Sequence, residues 1–217
     1  GDILTDEAAG LVGGLGLGYT AVAALRDARV AEMLVVDVMR PVIEWHQKGL
    51  VPLGETLTGD PRCRLIEGDF FALAGAPEIG FDPEQPGRKF HAVLLDIDHS
   101  PQNLLDEKNA TFYSADGLRR LAAQLLPGGV FALWSDDPPD EIFLKHLAEV
   151  FESPQAHVVK FPNPLLERDS ASTVYVAIHP AVQLSDPILP ARSAVVTISP
   201  WTSRNSPKWI PICWSVC

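Results

Sequence analysis

The feature that most constrains this chain is an alternation. Short, nearly continuous apolar runs are followed repeatedly by segments with helical spacing. "EMLVVDV" from Glu32, "CRLIEGD" from Cys63, "FHAVLLD" from Phe90 and "VFALWS" from Val130 read as buried strands. A strand that is apolar on both faces needs cover on both faces, which is the situation of a parallel sheet. Between these runs, "YTAVAALRDA" from Tyr19 sets Val22 and Leu25 on one side. Pro41 opens "PVIEWHQKGL", where its missing N–H costs nothing. "FFALAG" is a short helix, and "SADGLRRLAAQLL" starts at Ser114, a good N-cap. "PGG" at 127–129 stops that helix, "PDEIFLKHLAEVF" is another with Asp140 as its cap, and "AHVVKFP" and "STVYVAI" are the last strands. Residues 75–89 hold three prolines and three glycines and read as a surface loop. The alternation predicts an α/β fold with a mostly parallel sheet and helices on both faces. The first strand looks clipped, because only Leu11 and Val12 precede the glycines.

A length of 217 residues suits one sizeable core. We assign residues 1–179 to the α/β domain. Residues 180–217 differ: six prolines, three tryptophans and many serines without a sustained period read as a tail. A net charge of −11 argues against a nucleic-acid face and against an anionic membrane surface. No apolar run has the length of a membrane span, and "GDILTDEAAG" lacks the pattern of a signal peptide, so a cytoplasmic location is expected. Three cysteines without a C-x-x-C pair argue against a disulfide scaffold or a zinc site, and no metal is expected.

"VGGLGLGYTAVAAL" joins the first strand to the first helix. Gly14, Gly16 and Gly18 alternate there, letting the backbone turn sharply and a ligand approach closely. This is the generic nucleotide-binding turn of a doubly wound sheet. The third glycine of a dinucleotide G-x-G-x-x-G would fall on Tyr19, so the spacing suits S-adenosylmethionine-type binders better. Asp37 ends the second strand about 20 residues on, where an acid commonly takes ribose hydroxyls. Asp69 ends the third strand in "EGDFF". It suits both an N-cap and an acceptor for an adenine amino group, and a carboxylate has lone pairs for both. Phe70 and Phe71 read as core. In "LLDIDHSP" a buried strand runs into Asp96, Asp98 and His99, which fit either an acid/base cluster or a polar turn. His46 and His146 fall in helical patterns and read as surface residues.

Together "GGLGLGYT", "VVDV", "GDPRCRLIEGD", "FHAVLLDID" and "LLPGGVFALWS" occur in the order of the spermidine synthase family and resemble its bacterial spermidine synthase-like branch. The resemblance covers about residues 11–178, and Asp60-Pro61-Arg62 followed by Gly68-Asp69 is its most specific piece. It implies a Rossmann-like, seven-stranded sheet similar to class I S-adenosylmethionine methyltransferases. It also implies decarboxylated S-adenosylmethionine as donor, a diamine or related amine as small-molecule acceptor, and a homodimer. By that resemblance Gly14, Gly16, Gly18, Asp37, Gly68 and Asp69 hold the donor. Asp96 is the catalytic carboxylate, and Asp98, His99, Trp134 and Asp136 line the acceptor site. The family carries a second acid three residues after the first, where this sequence has His99; Asp98 is only two residues on. Leu118 stands where the family has a tyrosine, and the family's small N-terminal β domain is not matched. The lost acid favours, as an alternative, a small-molecule methyltransferase using S-adenosylmethionine. The unmatched domain and the tail favour, as a further alternative, a non-catalytic association module.

Overall fold

The computed structural model describes residues 7–163 and 168–181. Seven strands form one sheet: β1 (Ala8–Gly13), β2 (Val30–Asp37), β3 (Cys63–Glu67), β4 (Phe90–Leu95), β5 (Leu125–Ser135), β6 (Glu152–Asn163) and β7 (Arg168–Ile178). Their order is β3-β2-β1-β4-β5-β7-β6. The first five strands pair in parallel, and β7 runs antiparallel to both β5 and β6. The helices are α1 (Tyr19–Leu25), α2 (Arg40–Gln47), α3 (Gly54–Gly59), α4 (Phe70–Ala74), α5 (Ala115–Ala122) and α6 (Glu141–Ala148). A 3-10 turn spans Glu107–Thr111.

The continuous apolar strands are explained by two separate core layers. Leu11, Leu34, Phe131 and Tyr175 belong to one layer, while their sequence neighbours Val12, Val35, Ala132 and Val174 belong to the other. Successive strand side chains point to opposite faces, so both must be apolar when both faces are covered. α1, α2 and α3 cover one face with Ala24, Ile43 and Leu57. α4, α5 and α6 cover the other with Phe70, Leu118 and Phe143. Burying each such Leu or Phe contributes about 1.5–3 kcal/mol.

Several local expectations hold. Ser114 caps α5 by accepting from the Gly117 N–H, and Asp140 caps α6 by accepting from Ile142 and Phe143. Others are corrected. β1 starts at Ala8 and is paired along its length, so it is a full strand; alanine and glycine at its start hid it. α5 ends at Ala122, before the "PGG", and β5 already begins at Leu125, which pairs with Phe90. α3 was not foreseen, because "GETLTG" lacks an apolar stripe. The expectations placed on residues 182–217, Cys213 and Cys217 included, lie outside the described residues.

The Asp60-Pro61-Arg62 piece has a structural role. The Arg62 guanidinium donates to Asp60 and to the carbonyls of Leu25 and Val30. It thereby ties the end of α1 and the start of β2 to the entry of β3. A second cluster fixes the 75–89 loop: Arg88 and Arg64 both bind Glu32 and the fully buried Asp82.

Candidate active site at the carboxyl ends of the strands

Parallel strands in register deliver their last residues to one edge. Gly13 lies beside both Val36 and Leu95, Asp37 beside Glu67, and Leu95 beside Leu133. The edge therefore collects the glycine turn after β1, Asp37 on β2, Asp69 after β3, Asp96 after β4, and Trp134 and Asp136 at the end of β5. In open α/β sheets ligands bind in the crevice at this edge.

The glycine turn is held in a left-handed conformation at three points: φ is 95° at Gly14, 47° at Gly16 and 89° at Gly18. At Gly14 a side chain is excluded a second time, because a Cβ would collide with the Asp96 carbonyl. Gly18 packs on Leu57 and His46. Gly16 is different, since a Cβ there meets no atom within 4 Å. The turn is packed from below and open above Gly16, which is the shape a close-approaching ligand needs.

Asp37 is half-buried and works on the same turn. Its Oδ2 accepts from the Leu15 N–H at 2.8 Å and its Oδ1 from the Met39 N–H at 2.7 Å. Each oxygen keeps a further lone pair for a hydroxyl. Gly68 donates its N–H to the Asp37 carbonyl at 3.0 Å, so β3's exit is tied to β2's end. Asp69 caps α4, its Oδ1 accepting from Phe71 and Ala72, while Lys108 stands 3.5 Å from Oδ2. Phe70 is buried in the core, and Phe71 packs against it edge-on.

Asp96 is half-buried, and burial pushes its carboxyl pKa up, opposed by a hydrogen bond from Thr20. Thr20 Oγ1 donates to Asp96 Oδ2 at 2.9 Å. The Asp96 N–H donates to the Gly13 carbonyl at 2.8 Å. A half-buried carboxylate with a raised pKa at this edge is suited to accepting a proton.

Asp98 corrects an expectation. It is 1% exposed, and its carboxylate accepts from the Leu105 N–H, from Asn109 Nδ2 and from the Tyr113 hydroxyl at 2.8–3.2 Å. It fastens the 98–113 segment from inside and does not line an acceptor site. Burial, then the charge of Asp98, raises the Tyr113 phenol above its usual range. His99 is exposed, and its carbonyl accepts from the Asp136 N–H at 2.6 Å. Asp136 is exposed at the same rim, and Trp134 is half-buried against the α1 face of the core. Leu118, in the family's tyrosine position, is fully buried core.

His46 also departs from its reading as a surface residue. It is fully buried beneath the glycine turn, with Nε2 at 3.0 Å from the Gly16 carbonyl. His146 is half-buried, its Nδ1 at 3.0 Å from the Tyr113 carbonyl. Thr20 and Tyr113 carried no sequence signal, because their partners are distant in the chain. Among the described residues no group of three or more His, Cys, Asp or Glu is placed to hold a metal ion. No helix among them is long and apolar enough to cross a membrane.

The strand order, the lone antiparallel β7 and the glycine turn before α1 define a class I methyltransferase-like fold. No protein-family model matches the chain. It is 34% identical over 129 residues to a polyamine aminopropyltransferase from Prochlorococcus marinus, covering 59% of this chain and 40% of that protein. It is 27% identical over 160 residues to polyamine aminopropyltransferase 2 from Pseudomonas aeruginosa, covering 70% of this chain and 42% of that protein. The chain thus spans about two fifths of the length of these relatives. Among solved structures, spermidine synthase from Thermotoga maritima superposes with a TM-score of 0.58 at 16% identity, over 80% of this chain and 53% of that one. Human methyltransferase-like protein 13, solved with SAH, gives 0.54 at 19% identity, over 83% and 76%. The chain is similar in sequence to polyamine aminopropyltransferases, and its fold is that of spermidine synthase and class I methyltransferases.

Proposed function

We propose that this chain is the donor-binding domain of an aminopropyltransferase-like enzyme acting on a small amine. The observation that carries the reading is Asp96, a half-buried carboxylate with a raised pKa beside the open glycine turn. The relatives named polyamine aminopropyltransferase support the reaction class. The donor is an S-adenosylmethionine-type sulfonium, preferentially the decarboxylated form. The residues present fit it: open space above Gly16 admits the nucleoside, and the remaining lone pairs of Asp37 suit ribose hydroxyls. Asp69, with Gly68 before it, stands at the adjacent strand end for the adenine amino group.

An alkylamine has a pKa near 10, similar to lysine, so it arrives as an ammonium. Asp96 holds that cation and takes its proton. The freed nitrogen lone pair forms the new bond to the carbon beside sulfur. The carbon–sulfur bond breaks with its electrons going to sulfur, which becomes a neutral thioether. His99 and Asp136 sit at the rim where the acceptor enters. A homodimer belongs to the same reading and is checked by light scattering.

The test is a thermal-shift titration with decarboxylated S-adenosylmethionine, S-adenosylmethionine and methylthioadenosine. It is followed by mass analysis of products from an amine panel. A ligand at 100 times its Kd adds about 2.7 kcal/mol of stability. The expected result is the largest shift with the decarboxylated donor and an aminopropylated amine. A larger shift with S-adenosylmethionine and a methylated product would move the assignment to a methyltransferase. No shift with any of the three would refute both and leave an association module.

A further inference from the structure

One buried hydroxyl outside the residues assigned above touches the candidate proton acceptor. Thr20 is 5% exposed and lies in the first turn of α1, and its Oγ1 donates to Asp96 Oδ2 at 2.9 Å. The two segments that carry these groups are held rigidly to one another. Asp96 N–H binds the Gly13 carbonyl, and the Asp96 carbonyl occupies the space a Gly14 Cβ would need. We infer that Thr20 is a positioning residue, which holds Oδ2 of Asp96 and leaves Oδ1 as the oxygen that meets the acceptor amine. The inference rests on Asp96 being the proton acceptor.

The reasoning is geometric first. The terminal torsion of an aspartate is broad, so a carboxylate without a partner does not fix its own plane. A hydroxyl bound to one oxygen fixes that plane and designates the other oxygen for the incoming N–H. Orientation of this kind is a large share of what a positioned base contributes. A valine at this site keeps the shape of threonine and loses the donor.

The second effect is electrostatic. A hydrogen bond to the ionised form favours that form. Thr20 therefore opposes the burial that raises the Asp96 pKa and favours the ionised, proton-accepting form. The titratable groups around this edge are Tyr19 on α1, Asp37 on β2, Asp69 after β3 with Lys108 beside it, Asp98 and His99 on the segment after β4, Asp136 after β5, and His46 under the glycine turn. Lys108, His46 and His99 are the ones able to carry positive charge; Lys108 pairs with Asp69 and Asp106, and burial and the Thr20 hydrogen bond are what act on Asp96.

The experiment compares wild type with Thr20→Val and Thr20→Ser, using the carbon-13 carboxyl resonance of Asp96, assigned by its loss in Asp96→Asn. Folding of each variant is checked by circular dichroism and melting; Thr20→Ala serves as the second hydroxyl-free variant if Thr20→Val does not fold. The expected result is an Asp96 titration midpoint at higher pH in Thr20→Val. Its kcat falls about 10–100-fold while the donor KM stays within about twofold, and Thr20→Ser restores both readouts. The inference is overturned if the midpoint does not move, if kcat is undiminished in a folded hydroxyl-free variant, or if serine restores nothing. The carboxyl titration needs no turnover. Turnover retained in Asp96→Asn would instead remove Asp96 as the proton acceptor, a separate outcome from an unmoved midpoint.

Discussion

Asp98→Ala gives the sharpest test of how the edge beside the candidate site is held. The carboxylate is buried and accepts from three donors: the Leu105 N–H, Asn109 Nδ2 and the Tyr113 hydroxyl. Leu105 is exposed, so its amide can turn to water. Asn109 and Tyr113 are 4% and 5% exposed and cannot. Each buried donor left without an acceptor costs about 1–3 kcal/mol. With the Leu105 bond also lost, the expected destabilisation is about 3–5 kcal/mol, a large part of the ~5–15 kcal/mol total typical of a domain. In urea, with a slope of about 1–3 kcal/mol/M, the midpoint should fall by about 1–5 M. Tyr113→Phe removes one donor and leaves the carboxylate two others, so it should cost only about 1 kcal/mol. The assay is urea unfolding followed by circular dichroism, with amide exchange on residues 98–113. An Asp98→Ala cost no larger than that of Tyr113→Phe would refute the internal-fastener role and return Asp98 to the acceptor site.

Asp96→Asn should lower kcat by about 100-fold or more while leaving donor binding in place, measured by steady-state kinetics and calorimetry. The same variant should be more stable than wild type at neutral pH. The folded pKa of Asp96 is raised above the ordinary 3.8, so the native state binds more protons through that window and stability falls as pH rises. The gain in melting temperature should therefore vanish below about pH 3.8, where both variants are neutral; a gain that persists there would refute the cause. Gly14→Ala should abolish donor binding, because φ of 95° and the Asp96 carbonyl both exclude a Cβ; unchanged affinity by calorimetry would contradict the packing of the turn. Asp82→Asn should flatten the acid response, because it removes a group whose shift runs the opposite way. Burial pushes Asp82 up, but Arg88, the Glu84 N–H and Arg64 together hold it below 3.8, so its contribution exists above that value and is lost as pH falls through the lower folded one. The variant should lose stability at neutral pH and match wild type in strong acid, by melting scans across pH; equal stability at pH 7 would count against the network.

The sheet was legible because adjacent apolar residues such as Leu34 and Val35 serve opposite layers, which leaves a continuous run in the sequence. Caps at Asp69, Ser114 and Asp140 were legible because donor and acceptor lie within a few residues. Asp37 and Asp96 were legible as strand-end acids. Asp98 was misread as a site residue because its partners come from a segment that folds back over it, and no local pattern records that. His46 was misread for a similar reason: its helix turns it under a glycine loop 30 residues earlier in the chain. Thr20 meets Asp96 across 76 residues, a pairing visible only once β1 and β4 are neighbours.

The central place of β1 also bears on the order of events during folding. The β6–β7 hairpin is a local pairing, closing near Asn163 and Arg168. β1 must instead find β4 across 82 residues, as the contact between Ala9 and His91 measures. Loop-closure entropy is paid before such a pairing gives any return, so distant parallel pairing is slow. β1, "AAGLVG", offers little side-chain surface of its own to nucleate on. Docking of the β1–β2–β3 half onto β4 and β5 is therefore the step expected to be slow, and it is the step that brings Thr20 to Asp96.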